Sequence, residues 1–210
     1  MDFRRVAAIA GLVVMVPMGI RAETAEPPAA IAVRTYNYFG VPTRELQAAR
    51  TQATAILREA GIDISWVDCN VPNEAAQCNQ PVASTDVILR IGAAHETSGH
   101  QFTSMGFSLV KLSDGKAPYL STIYADLVAS VARGAGIDAS ELLGRAIAHE
   151  IGHLMLGTNE HAASGLMRAI WSRAELRHRN ASDWHFLASE VGAMHAAVAM
   201  RHASADQRGN

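Results

Sequence analysis

The sequence predicts an α+β fold in one domain, and three observations carry that prediction. Strand-like and helix-like segments run in the order β-α-β-β-β and then give way to helices. The length of 210 residues suits a single hydrophobic core. The most strongly marked helix carries His149-Glu150-Ile151-Gly152-His153, an HExxH arrangement, on an otherwise apolar stretch.

The chain opens on a targeting pattern. Arg4 and Arg5 supply a positive start, Val6 to Ile20 is uncharged, and Ala22 is a small residue at a cleavage point. Residues 1–22 are therefore read as a signal peptide. Pro17 and the shortness of the run argue against a membrane anchor, which needs roughly 20 apolar residues. No stable membrane span is expected after cleavage. Residues 23–30 (ETAEPPAA) read as a flexible lead, and 31–210 as the folded domain.

Residues 31 to 39 are rich in β-formers and predict the first strand. A helix follows, with Thr43 as its cap. Leu46, Ala49, Ala53, Ile56, Leu57 and Ala60 form its apolar face, and Gly61 ends it. Ile62 to Val67 and Val87 to Ile91 read as the second and third strands, Gly106 to Leu112 as the fourth, and Tyr119 to Val128 as the fifth. Ala129 to Ile137 carries no period that assigns it. Asp138 to Leu156 predicts the HExxH helix, with Asp138 and Glu141 as a capping box and Gly157 as a left-handed stop. A last helix is expected from Ser182 to His202, on the spacing of Phe186, Leu187, Val191, Met194 and Val198.

Composition narrows the function. Apolar residues make up 49% and charged residues 18%, which is globular rather than disordered. A formal charge of −2 gives no electrostatic basis for binding nucleic acid. Cys69 and Cys78 are the only cysteines, and they flank a short polar loop. In an exported protein such a pair forms a disulfide, and their spacing does not suit a zinc knuckle.

The chemistry lies in HExxH. Four residues make about one helical turn, so His149 and His153 point to the same side and can share one metal ion. Glu150 beside them can take a proton from water at that metal, the division of labour that metal-assisted hydrolysis needs. Two histidines and a glutamate among Ala146, Ile147, Ile151 and Leu154 would be costly to bury without such a partner. A catalytic zinc takes three protein ligands and leaves one position open. His161 follows the helix-breaking Gly157 and is the expected third ligand, with Glu160 and Glu175 as rivals. Glu175 has a second reading, as a capping box with Ser172 for a following helix.

HExxH, a helix-ending glycine, a third histidine and then Met167 in a tight segment resemble the metzincin zinc proteases. The usual core is HExxHxxGxxH, whereas this chain has HExxHxxxGxxxH. The resemblance implies a twisted mixed sheet packed with helices, a zinc ion at the floor of a cleft, and an antiparallel edge strand that aligns a peptide. It implies His149, His153 and His161 as ligands, Glu150 as general base, and Met167 as the methionine of the turn.

The expected function is that of an exported zinc-dependent metallopeptidase acting on peptide or protein substrates. The alternative is a secreted binding protein that retains a zinc site without turnover. Glu150 separates the two, because a structural site needs no base and takes a fourth protein ligand. His95 to His100 resembles HExxH with one residue too many and reads as a loop. Trp66, Trp171 and Trp184 read as packing residues, and His178, His185, His195 and His202 as scattered over the final helical region. Asp126 is a candidate for fixing a neighbouring backbone or histidine.

Overall fold

The computed structural model describes residues 29–70, 75–94, 104–110, 117–177 and 181–206. The signal segment 1–22, the His95–His100 segment and His178 lie outside them.

The first strand, β1 (Ala29–Asn37), begins two residues before the expected boundary, so Ala29 and Ala30 belong to the sheet and not to a flexible lead. Pairing explains the early start: Ala29 and Ala30 align with Ile62 and Asp63 of β2 (Ile62–Asp68). Between the two strands runs α1 (Thr43–Glu59). Thr43 is its first helical residue, and Pro42 takes the N-cap position without a side-chain cap. Proline suits that boundary because it has no N–H to leave unsatisfied and its φ is preset. The short helix α2 (Ala75–Cys78) carries one end of the Cys69–Cys78 disulfide, whose Cα atoms are 5.6 Å apart.

Next come β3 (Asp86–Gly92), β4 (Gly106–Leu109) and β5 (Leu120–Tyr124), completing a five-stranded sheet in the order β2-β1-β3-β5-β4. Four strands are parallel, and β4 alone runs antiparallel, at the edge against β5. Ile31, Val33, Val87, Leu89, Ile91 and Ile123 are almost completely buried. Their period of two puts them on one face of the sheet. On the strands' other face Arg34 pairs with Asp86 at 2.5 Å, joining β1 to β3.

The fifth strand is shorter than its sequence suggests. It ends at Tyr124, and α3 (Ala125–Ala135) takes over the stretch that reads as its continuation, including most of the unassigned segment. Val128, Ala132 and Ala135 are buried at helical spacing, and Gly136 closes the helix at φ 69°. The Asp126 carboxylate accepts the Ala94 N–H at 2.9 Å, tying the first turn of α3 to the chain after β3.

The helix α4 (Ala139–Leu156) is buried from Leu142 to Met155 without a break. A helix covered on every side belongs to the core rather than the surface. Asp138 caps it by accepting the Ser140 N–H at 2.7 Å. The expected reciprocal contact from Glu141 is replaced by an ion pair between Glu141 and Arg145 one turn along. Past α4, Ser172 and Glu175 form a reciprocal capping box on α5 (Arg173–Arg177).

The last helix starts later than expected. Ala181–Trp184 is a 3-10 turn, and α6 spans Ala188–Asp206. Between the two helical pieces the His185 carbonyl accepts the Leu166 N–H at 2.8 Å, so it does not serve a helix. Met194 and Val198 of α6 are fully buried, whereas Leu187 lies outside the helix and is exposed. No described helix is long and apolar enough to cross a membrane.

Candidate metal centre

Helix α4 brings His149 and His153 to one side, with their ring centroids 4.7 Å apart. At its end Gly157 takes φ 65° and donates its N–H to the His153 carbonyl at 2.9 Å, stopping the helix in the left-handed conformation. The chain then doubles back. His161 stacks on His149 with centroids 5.4 Å apart and meets His153 edge-on at 4.9 Å. One ligand-capable atom from each of the three histidines lies within 4.8 Å of the others. Among the described residues this is the set of His, Cys, Asp and Glu side chains suited to holding an ion. Glu160 and Glu175 are outside it. Glu175 is occupied in its capping box and in an ion pair with Arg168 at 3.3 Å.

The proton positions follow from the partners. His149 Nδ1 faces the Leu166 carbonyl at 3.0 Å, and His153 Nδ1 faces the Thr158 carbonyl at 2.8 Å. A carbonyl only accepts, so each Nδ1 donates, and a neutral imidazole has no second proton. Both Nε2 atoms are then bare lone pairs, yet they lie 3.0 Å from each other. Placing a proton between them would charge a ring, and burial opposes that. It lowers the His149 pKa to about 4 and shifts His153 in the same direction, with neighbouring histidines adding to both effects. A cation between the lone pairs removes the conflict. Zn–N bonds of 2.0–2.1 Å in tetrahedral geometry need nitrogens about 3.3 Å apart, close to the 3.0 Å between the Nε2 atoms of His149 and His153. The residues present therefore fit a zinc ion.

The loop that carries the Leu166 carbonyl is itself braced. Ala162 N–H donates to the Met167 carbonyl at 2.9 Å, and the Trp171 indole N–H donates to Leu166 at 3.3 Å. Trp171 also meets His149 edge-on at 5.5 Å, so it packs on the site rather than deep in the core. Trp184, behind it, is buried and stacked under Arg145 at 3.8 Å. Met167 is 1% exposed, and its sulfur lies against Gly152 of α4.

Glu150 is 5% exposed. Burial pushes its carboxyl pKa up to about 7, and a hydrogen bond from Ser108 pulls the other way. Ser108 Oγ lies 2.7 Å from Glu150 Oε2 and 2.7 Å from Ser121 Oγ. Gly106 makes room beside them, since a Cβ there would stand 2.9 Å from Glu150 Oε1. The site opens into a cleft of about 780 Å³ bordered by β4, His149, Glu150, His153, His161 and the Arg168–Trp171 segment. Sequence reasoning singled out neither Ser108, Ser121 nor Gly106. They lie far from HExxH in the chain, and a serine or glycine in a strand has no motif of its own.

No protein-family model matches the chain, and no curated protein matches it in sequence. In structure it is similar to the archaemetzincin of Methanopyrus kandleri, with a TM-score of 0.50 and 12% identity over 88% of this chain and 99% of that one. The chain thus has an α+β fold like that of archaemetzincin, a five-stranded mixed sheet packed with helices and a histidine triad close together in space.

Proposed function

We propose that the chain is an exported zinc-dependent metallopeptidase, in which His149, His153 and His161 hold the metal and Glu150 is the general base. The carrying observation is the pair of bare Nε2 lone pairs 3.0 Å apart, beside a buried carboxylate. The likeness of the fold to an archaemetzincin supports the same reading. The disulfide supports export, since such bonds persist in oxidising compartments. On this reading residues 1–22 are removed as a signal peptide and one hydrolase domain remains.

Zinc, when bound, supplies a Lewis acid that lowers the pKa of water toward about 7. Glu150 would be the group that accepts a proton from the attacking water and hands it to the leaving amine. In the metal-free chain burial pushes that carboxyl's pKa up to about 7. The carbonyls of Leu166 and Thr158 hold the His149 and His153 rings in the tautomer that presents Nε2. Met167 forms the packed turn beneath the ligands, and β4, the antiparallel edge, aligns an extended peptide along the cleft.

Elemental analysis and a broad peptide library test the proposal. The purified chain should hold about one zinc. Glu150→Gln should keep the metal and lose hydrolysis, because an amide cannot accept the proton. A chain that stays metal-free after zinc loading overturns the metal centre. A zinc-loaded chain that cleaves no peptide favours a secreted binding protein.

A further inference from the structure

We propose that Ser108, backed by Ser121, is a positioning residue for Glu150, so that the edge strand and the base form one unit. The inference rests on the assignment of Glu150 as general base.

Strand β4 alternates in burial. Gly106 and Ser108 turn inward, while Phe107 and Leu109 are exposed. The inward pair is a glycine and a serine where an apolar sheet face would ordinarily carry branched residues. On β5, Ser121 is fully buried directly opposite Ser108 in the antiparallel register. Two hydroxyls buried in adjacent strands are costly unless they have partners. Their partners are each other and Glu150.

The protons can be assigned. Ser108 Oγ has one hydrogen and three acceptors in range: Glu150 Oε2 at 2.7 Å, the Glu150 carbonyl at 2.8 Å and Ser121 Oγ at 2.7 Å. The carboxylate is the strongest acceptor of the three, and a bond to an ionised oxygen is roughly twice as strong as a neutral one. Ser108 therefore donates to Oε2. Ser121, only 3.3 Å from the Glu150 carbonyl, donates to Ser108. The chain of bonds runs Ser121 to Ser108 to Oε2 and leaves Oε1 for the proton transfer. Gly106 completes the seat, since a Cβ there would stand 2.8 Å from the Thr122 carbonyl oxygen and 2.9 Å from Oε1. Glutamate has three side-chain torsions to fix, and one short hydrogen bond from a packed strand removes most of that freedom.

The test combines kinetics on the zinc-loaded protein with crystal structures. Ser108→Ala should lower kcat about 10- to 100-fold, with KM and zinc content little changed, because a misplaced base costs rate and not binding. Ser108→Thr, which keeps the hydroxyl, should restore most of the rate. Ser121→Ala, one bond further out, should have a smaller effect. In a Glu150→Asp background the shorter carboxylate cannot reach the hydroxyl, so Ser108→Ala should change kcat by less than about twofold. An equal loss in both backgrounds makes Ser108 merely structural and overturns the proposal, as does an unchanged kcat in Ser108→Ala. If the wild type cleaves no peptide, the peptidase reading fails on its own account and crystal structures of wild type and Ser108→Ala decide the positioning. Glu150 should leave its seat in the variant, and a carboxylate that stays in the same rotamer overturns the inference.

Discussion

Gly152 of α4 lies directly against Met167: the methionine sulfur is 2.7 Å from the point that a Cβ on Gly152 would occupy, and the Phe186 ring is 2.6 Å from the same point. Both neighbours are buried, Met167 at 1% and Phe186 at 8% exposure, so neither has open space to retreat into. The glycine inside HExxH thus lets the returning loop close against the helix that carries the histidines. That contact holds the loop whose Leu166 carbonyl orients His149.

Gly152→Ala should therefore destabilise the protein by about 1–3 kcal/mol through overpacking. Helix propensity alone would stabilise the same substitution by up to about 1 kcal/mol. Urea unfolding of the two proteins reads the sign directly. A variant as stable as wild type, or more so, would show that Met167 and Phe186 yield without cost.

Zinc titration of His161→Ala, Glu160→Ala and Glu175→Ala, side by side, checks the third ligand. His161 stacks on His149 and meets His153 edge-on, while Glu160 and Glu175 stand outside the cluster. His161→Ala should weaken zinc binding strongly. Glu160→Ala should leave it unchanged, and Glu175→Ala should lose about 1 kcal/mol of stability through its cap. Unchanged affinity in His161→Ala, with a collapse in either of the others, would reassign the ligand.

The metal-free protein should respond to pH through Glu150. Its pKa is raised from the ordinary 4.5 to about 7 by burial. A raised pKa means that the folded state holds the proton more tightly, so the contribution to stability is full below 4.5 and is lost as pH rises through 7. His149 runs oppositely: its pKa is lowered from 6.5 to about 4, and its contribution is full above 6.5 and lost as pH falls through 4. Glu150→Gln removes the first effect and leaves the second. After chelation the variant should gain roughly 2–3 kcal/mol over wild type between pH 5 and pH 8. An equal change in stability of the two proteins between pH 5 and pH 8 in urea unfolding would show that the buried carboxylate costs nothing.

Much of the local order could be read from the chain. Asp138 and Gly157 bracket α4 because a capping carboxylate and a left-handed glycine act over one turn of helix. The meeting of His149 and His153 needs only helical geometry, and the pairing of Cys69 with Cys78 needs only a short loop. Boundaries failed where a distant partner intervened. The stretch from Ala125 to Val128 reads as the end of a strand and Ala129 to Ile137 carries no assignable period, yet Val128, Ala132 and Ala135 find a helical burial stripe, and the chain beyond β3 anchors its first turn. The break before α6 comes from the Leu166 N–H, which is not visible near His185 in the sequence.

The turn of helix that carries His149 and His153 was settled locally, since a period of 3.6 residues aligns its two imidazoles in any setting where the helix forms. The surroundings of Glu150 were settled by the sheet. Ser108 and Ser121 reach Glu150 only because β4 adds antiparallel to β5, placing the two serines opposite each other over α4. Trp171 reaches His149, and Met167 reaches Gly152, only because the chain folds back after Gly157. Hydrogen bonds and packing contacts between residues far apart in sequence depend on strand order and loop closure. Those follow from the balance of the whole core, which no short stretch of sequence encodes.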